Sequence, residues 1–178
     1  MRILLLSDIH SNIEALEACL ASAPAYDSVA NLGDIVGYGA NPNEVTMRAR
    51  GLGGTFIRGN HDKVVAGLEE VEGFNPIAGM AALWNRSQLT SENLEWLKAL
   101  PEGPISIPEL SGIQFVHGAP DDEDRYVVTI EDAVPPLVDS HSSLTFFGHT
   151  HVQGAFLLRG GLVETVHPEY PSIGRQET

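Results

Sequence analysis

Cysteine occurs once among the 178 residues, at Cys19, so no internal disulfide can staple the chain and its stability has to come from a packed core. Basic side chains are scarce: 10 Lys and Arg stand against 24 Asp and Glu, a formal net charge of −14. That balance argues against non-specific nucleic-acid binding, which depends on neutralising phosphates with basic residues. Long apolar runs are missing as well. No uninterrupted stretch approaches the ~20 residues that a membrane-spanning helix requires. The opening run Ile3-Leu4-Leu5-Leu6 is too brief for the apolar region of a secretory leader, and Asp8 interrupts it at once. Together these absences point to a soluble protein of a reducing cytoplasm with no membrane partner, most of whose carboxylates form a solvated surface.

What is present is an alternation of short aliphatic runs with amphipathic stretches, the pattern of an α/β domain, and residues 1–178 read as one domain without repeats or a linker. Strands are expected at Ile3 to Leu6, Ser28 to Leu32, Thr55 to Arg58 and Leu144 to Phe147. Hairpins are expected across Ser111-Gly112 and Gly160-Gly161. Ser11-Asn12-Ile13-Glu14 has the form of a capping box, so a helix starts there, with Ile13, Leu16, Cys19 and Leu20 on its buried face. Residues 76 to 99 read as helical with a break near Thr90-Ser91, and Trp84 and Trp96 read as packing residues. A short helix from Thr129 to Val134 should end at Pro135-Pro136.

Five patches place metal-capable side chains directly after an apolar strand: Asp8-Ile9-His10, Gly33-Asp34, Gly59-Asn60-His61-Asp62, His117-Gly118 and Gly148-His149-Thr150-His151. Strand ends of α/β folds gather functional groups at one edge of the sheet. An Asp-x-His pair there can turn both side chains to one ion, and a neighbouring glycine lets the backbone approach without a Cβ clash. Any one patch is common by chance. The five in this order are specific, and only His141 and His167 of the seven histidines fall outside them.

The combination resembles the calcineurin-like metallophosphoesterase superfamily over residues 3 to about 152, in particular its small stand-alone bacterial members of the YfcE phosphodiesterase type. The phrases Asn31-Leu-Gly-Asp-Ile-Val-Gly-Tyr-Gly39 and His117-Gly-Ala-Pro120 carry the narrower likeness. The resemblance implies a four-layer α/β/β/α sandwich of two mixed β-sheets and a dinuclear centre. Asp8, His10 and His151 would bind one metal, Asn60, His117 and His149 the other, with Asp34 bridging. Mixed nitrogen and oxygen ligands suit Mn, Fe, Zn, Co or Ni, manganese foremost. Two such ions can activate a bridging water as hydroxide and stabilise attacking and leaving oxygens, and their charge would offset the acidic surface where an anionic substrate binds. His61 is then the expected general acid or transition-state stabiliser, with Asp62 orienting it. Arg58, Asn41 and Tyr126 are candidates to line the substrate pocket.

The implied function is hydrolysis of a small phosphoester, a phosphodiester first. A phosphomonoester or dinucleoside polyphosphate on the same site remains an alternative, as does a non-catalytic scaffold like the retromer subunit of this fold. One departure stands out. Relatives carry further strands past the last ligand, whereas here Pro171-Ser172-Ile173-Gly174 looks like a shortened counterpart of a turn, so either the second sheet is abbreviated or the sequence is incomplete. The pocket's far wall and the oligomeric state, a homo-oligomer included, stay open.

Overall fold

Strand β1 (Ile3–Leu6) is apolar at every position because both of its faces are covered. Side chains alternate across a strand, so Leu4 and Leu6 join one apolar cluster while Ile3 and Leu5 join another. Strand β1 pairs in parallel with β2 (Ser28–Asn31), and β2 with β3 (Thr55–Phe56), in the order β1-β2-β3. Parallel neighbours need crossover connections, supplied by helices α1 (Ile13–Ser22) and α2 (Pro42–Leu52). In this computed structural model residues 1–139 and 141–167 are described, and the turn expected at Pro171-Ser172-Ile173-Gly174 lies outside them.

Four layers follow from what each face touches. Helices α1, α2, α3 (Asn60–Ala66), α4 (Pro76–Gln88) and α5 (Ser91–Lys98) cover one face of the first sheet through Leu16, Val45, Val65, Ala82 and Leu97. Its other face meets β4 (Ile113–Phe115) and β5 (Leu144–Phe146), a parallel pair, through Leu32, Phe115 and Phe146. Helix α6 (Ile130–Asp139) closes the far side, with Ala133 and Leu137 packed against Phe147 and Phe156. An antiparallel hairpin, β6 (Ala155–Arg159) and β7 (Leu162–Val166), completes that side. This is the α/β/β/α order that the sequence implied. The hairpin expected across Ser111-Gly112 reduces to a single antiparallel bridge between Ile105 and Phe115.

Local differences have physical causes. The cap of α1 is Asn12, whose side chain accepts from the Ala15 amide, while Ser11 turns inward to Asn85. Cys19 is exposed, not buried: the stripe of α1 that meets the core is centred on Ile13, Leu16 and Leu20, and Cys19 falls at its edge. Trp96 packs against Phe56 in the core, but Trp84 is 44% exposed. Helix α6 runs through Pro135 and Pro136 and does not stop before them. The Asp132 carboxylate accepts the Val128 and Thr129 amides and fixes its start, and Leu137 continues its apolar face beyond the prolines. That packing outweighs the ~3 kcal/mol cost of an interior proline.

The fully buried Leu97 should be sensitive to truncation. Leu97→Ala is expected to cost about 2–5 kcal/mol in urea unfolding, whereas Leu162→Ala, at a side chain 69% exposed, should stay within about 0.5 kcal/mol.

Candidate metal centre

The loops that leave the strands are held in a conformation L-residues avoid. Asp8 (φ 53°), His10 (51°), Asp34 (54°), His149 (66°) and His151 (54°) all adopt the left-handed region, at roughly 1–2 kcal/mol per residue. Such strain persists where the surroundings over-determine it, and it clusters at functional sites. Here the loops after β1 and β2 are laced together. Asp8 N donates to Gly33 O (3.0 Å), His10 N to Asp34 O (2.9 Å) and Ser11 N to Ile35 O (2.9 Å). Two glycines leave the room this requires. A Cβ on Gly33 (φ 98°) would meet the Gly59 amide nitrogen at 2.5 Å, and one on Gly59 would collide with the Asp34 carboxylate.

The result is two overlapping donor groups, Asp8, His10, Asp34 and His151 in one, and Asp34, His117 and His149 in the other, with the atoms of each within 4.8 Å. Asp34 Oδ2 lies 3.5 Å from His10 Nε2 and also 3.5 Å from His117 Nε2, midway between the groups. Asn60 Oδ1 approaches His117 Nε2 at 3.1 Å and so joins the second group. In the first, His10 Nε2 faces His151 Nε2 at 2.9 Å, with Asp8 Oδ1 3.4 Å from the latter.

The donor set fits a pair of divalent cations. His10 Nδ1 lies 3.2 Å from Val36 O and His117 Nδ1 2.7 Å from Leu32 O. A proton on each Nδ1 satisfies those carbonyls, which makes Nε2 the nitrogen that faces Asp34 and would ligate once it carries no proton. His149 is held in the opposite sense, with Nε2 3.0 Å from Asp124 O, which leaves Nδ1 free to ligate.

Electrostatics separates the groups. Burial pushes the Asp34 carboxyl up, but the charge and hydrogen bond of His117, aided by His10 and His61, hold it well below the usual carboxylate range. In return, although burial opposes it, Asp34 raises His117 to about 9. Burial lowers His10 and His149, and it drives His61 down to about 4 against the pull of Asp34. Burial, then the neighbouring Asp34 charge, lifts Asp62 to about 7.

The remaining sequence candidates divide. His61 donates its amide to Asp34 Oδ1 (2.9 Å), and its ring sits among Tyr38, His10 and Phe74. Asp62 does not orient that ring. Its carboxylate accepts the Gly59 and Val36 amides, both at 3.0 Å, and so braces the loops. Arg58, expected to meet a phosphate, is instead committed to Glu102 (2.9 Å) and the buried Glu123 (3.0 Å). Asn41 opens α2, donates its amide to Ser11 O, and does not line the cleft beside the centre. Tyr126 does line it, stacked on His149 with ring centroids 3.7 Å apart. That cleft has a volume of about 280 Å³. A larger cavity of about 430 Å³, with mostly apolar walls from α6, β5 and β6, includes none of these donors.

Several contributors escaped the sequence reading. Ser7 Oγ donates to Asp8 Oδ2 (2.5 Å). The buried Asn85 accepts from Ser11 Oγ and Gly37 N and donates to Gly39 O, latching two loops. Its signal was a polar residue in the same stripe as Ala78 and Ala82. Lys63, 8% exposed in its side chain, pairs with Glu69 (2.8 Å), Glu123 (3.0 Å) and Asp124 (2.7 Å). It thereby ties α3 to the segment that carries Asp124 and Tyr126, and no motif surrounds it.

Known proteins resemble this chain in sequence and in fold. Residues 1–163 match the calcineurin-like phosphoesterase superfamily domain. An uncharacterised protein of Methanocaldococcus jannaschii is 37% identical over 172 residues, covering 90% of this chain and 69% of that protein. The crystal structure of a metallophosphoesterase from Sphaerobacter thermophilus is similar with a TM-score of 0.75 at 37% identity, covering 88% of this chain. This chain spans only 63% of the length of that structure. A hypothetical protein from Pyrococcus horikoshii shares the fold (TM-score 0.66, 16% identity, 96% of this chain and 89% of that one).

At neutral pH His117, with its pKa near 9, holds a proton that a cation must displace. Binding at this group should release about one proton at pH 7, and affinity should rise as pH increases toward 9. Calorimetry in buffers of different ionisation enthalpy measures the release; affinity independent of pH would contradict it.

Proposed function

This chain belongs to the calcineurin-like phosphoesterase superfamily, and we propose that it hydrolyses phosphoester bonds, phosphodiesters foremost, at a pair of divalent transition-metal ions. The single observation behind this reading is the Asp34 carboxylate, whose Oδ2 is equally distant, at 3.5 Å, from a histidine of each donor group. Asp8, His10 and His151 would hold one ion and Asn60, His117 and His149 the other, with Asp34 shared. Nitrogen and oxygen donors together suit Mn, Fe, Zn, Co or Ni. Bound there, two such ions would supply Lewis acidity toward water and phosphoryl oxygens.

The chain's own groups do the rest. His61 is neutral at physiological pH, so its ring acts as a hydrogen-bond donor that stabilises charge on a phosphoryl or departing oxygen, in preference to an imidazolium acid. Tyr126 and Tyr38 flank the centre with exposed rings. Among the described residues, no lysine or arginine lines the cleft. Arg58 and Lys63 behind it are already paired with carboxylates. A second phosphate charge would therefore find no cationic side chain in the cleft, which favours a monoanionic diester over a monoester or a polyphosphate.

Metal-reconstituted protein should hydrolyse bis-nitrophenyl phosphate faster than nitrophenyl phosphate, and chelation should abolish both. A protein that holds two ions and cleaves neither would be a scaffold. Asp34→Asn should weaken both ions together, as read by equilibrium metal content; loss of only one would remove its bridging role. His61→Ala should retain both ions yet lose roughly 10²–10³-fold in kcat, on nitrophenyl and alkyl diesters alike. A loss confined to the alkyl diester would restore the proton-donating role.

A further inference from the structure

The cleft beside the centre has an unusual lining for an enzyme of anionic substrates. Three aromatic rings, Tyr38, Phe74 and Tyr126, share it with three carboxylates, Glu69, Glu70 and Asp124. Tyr38 and Tyr126 are 42% and 54% exposed, and each rests on a histidine of the centre, Tyr38 at 4.5 Å from His61 and Tyr126 at 3.7 Å from His149. The phenol faces are thus fixed in place before any ligand arrives.

The carboxylates are only partly neutralised locally. Among the described residues Lys63 is the one cation paired with Glu69 and Asp124, and it is shared with Glu123 as well. Glu70 has no ion pair among the described residues. The same cleft is lined by Asn60, His61 and His149, so it opens directly onto the candidate metal centre.

Resting on the phosphoesterase reading above, we propose that this cleft receives the alcohol portion of a phosphodiester and selects an alcohol that bears an ammonium group. Aromatic faces attract a desolvated cation through their quadrupoles, and quaternary ammonium ions are the ligands best held by such walls. The surrounding carboxylates reinforce the attraction and repel an added phosphate. The cleft's volume of about 280 Å³ is ample for a choline-sized group. In the reaction, water oxygen bonds to phosphorus and the P–O bond to the ammonium alcohol breaks. That alcohol departs carrying one proton of the attacking water.

The direct test compares glycerophosphocholine with its isostere in which carbon replaces the quaternary nitrogen, on the metal-loaded enzyme. The cation should raise kcat/KM roughly tenfold, and Glu70→Gln and Tyr126→Leu should each narrow that ratio. Choline alone should bind the metal-free protein in a calorimetric titration, more weakly in the same two variants. Equal kcat/KM for the isosteres, or preference for diadenosine tetraphosphate, overturns the inference, as does an absence of choline binding. Bis-nitrophenyl phosphate is the control: hydrolysis of it without a cation preference sinks only this inference, whereas failure to cleave it with both ions bound sinks the phosphoesterase reading itself.

Discussion

One buried carboxylate organises the molecule. Asp34 is 1% exposed, and a carboxylate that far from water is stable only if charges or donors compensate it. It receives the His61 amide on Oδ1 and faces His10 and His117 from Oδ2. To put it there, the chain after β2 takes a left-handed turn at Asp34, and Gly59 omits the side chain that would occupy the same volume. Four of the strand ends converge on this one group, and the helix α3 presents its first turn to it.

That convergence is supported by contacts that do no chemistry. Backbone bonds between the loops after β1 and β2 offset left-handed strain, Asn85 latches the loops at positions 11, 37 and 39, and Asp62 ties Gly59 to Val36. On the other flank, Lys63 and Arg58 meet at the buried Glu123. Those ion pairs secure the segment whose Asp124 carbonyl orients His149. A buried pair of this kind is weak evidence for stability; what it does here is join Arg58 and Lys63 to the segment that carries Glu123 and Asp124.

Much of the site was legible in the sequence because its parts are short and local. Each donor follows a strand by one or a few residues, so chain order alone announces the set, and the structure gathers Asp8, His10, Asp34, Asn60, His117, His149 and His151 in one place. The strands and most helices were legible for the same reason, since their apolar periodicity is local. What failed depends on distant partners. Arg58 and Asp62 look functional beside the Gly-Asn-His motif, yet their partners are Glu123, 65 residues away, and Val36, 26 residues away. Cys19 seemed buried because apolar periodicity does not reveal how wide a stripe the core will accept. The prolines of α6 seemed terminal because local propensity omits the packing of Leu137.

The central claim is that Asp34 bridges two cations. Anomalous diffraction from crystals soaked in manganese tests it most directly. Two peaks are expected about 3.5–4 Å apart, one among Asp8, His10 and His151, the other among Asn60, His117 and His149, with Asp34 between them. A single peak at full loading, or two peaks of which Asp34 touches only one, would contradict it.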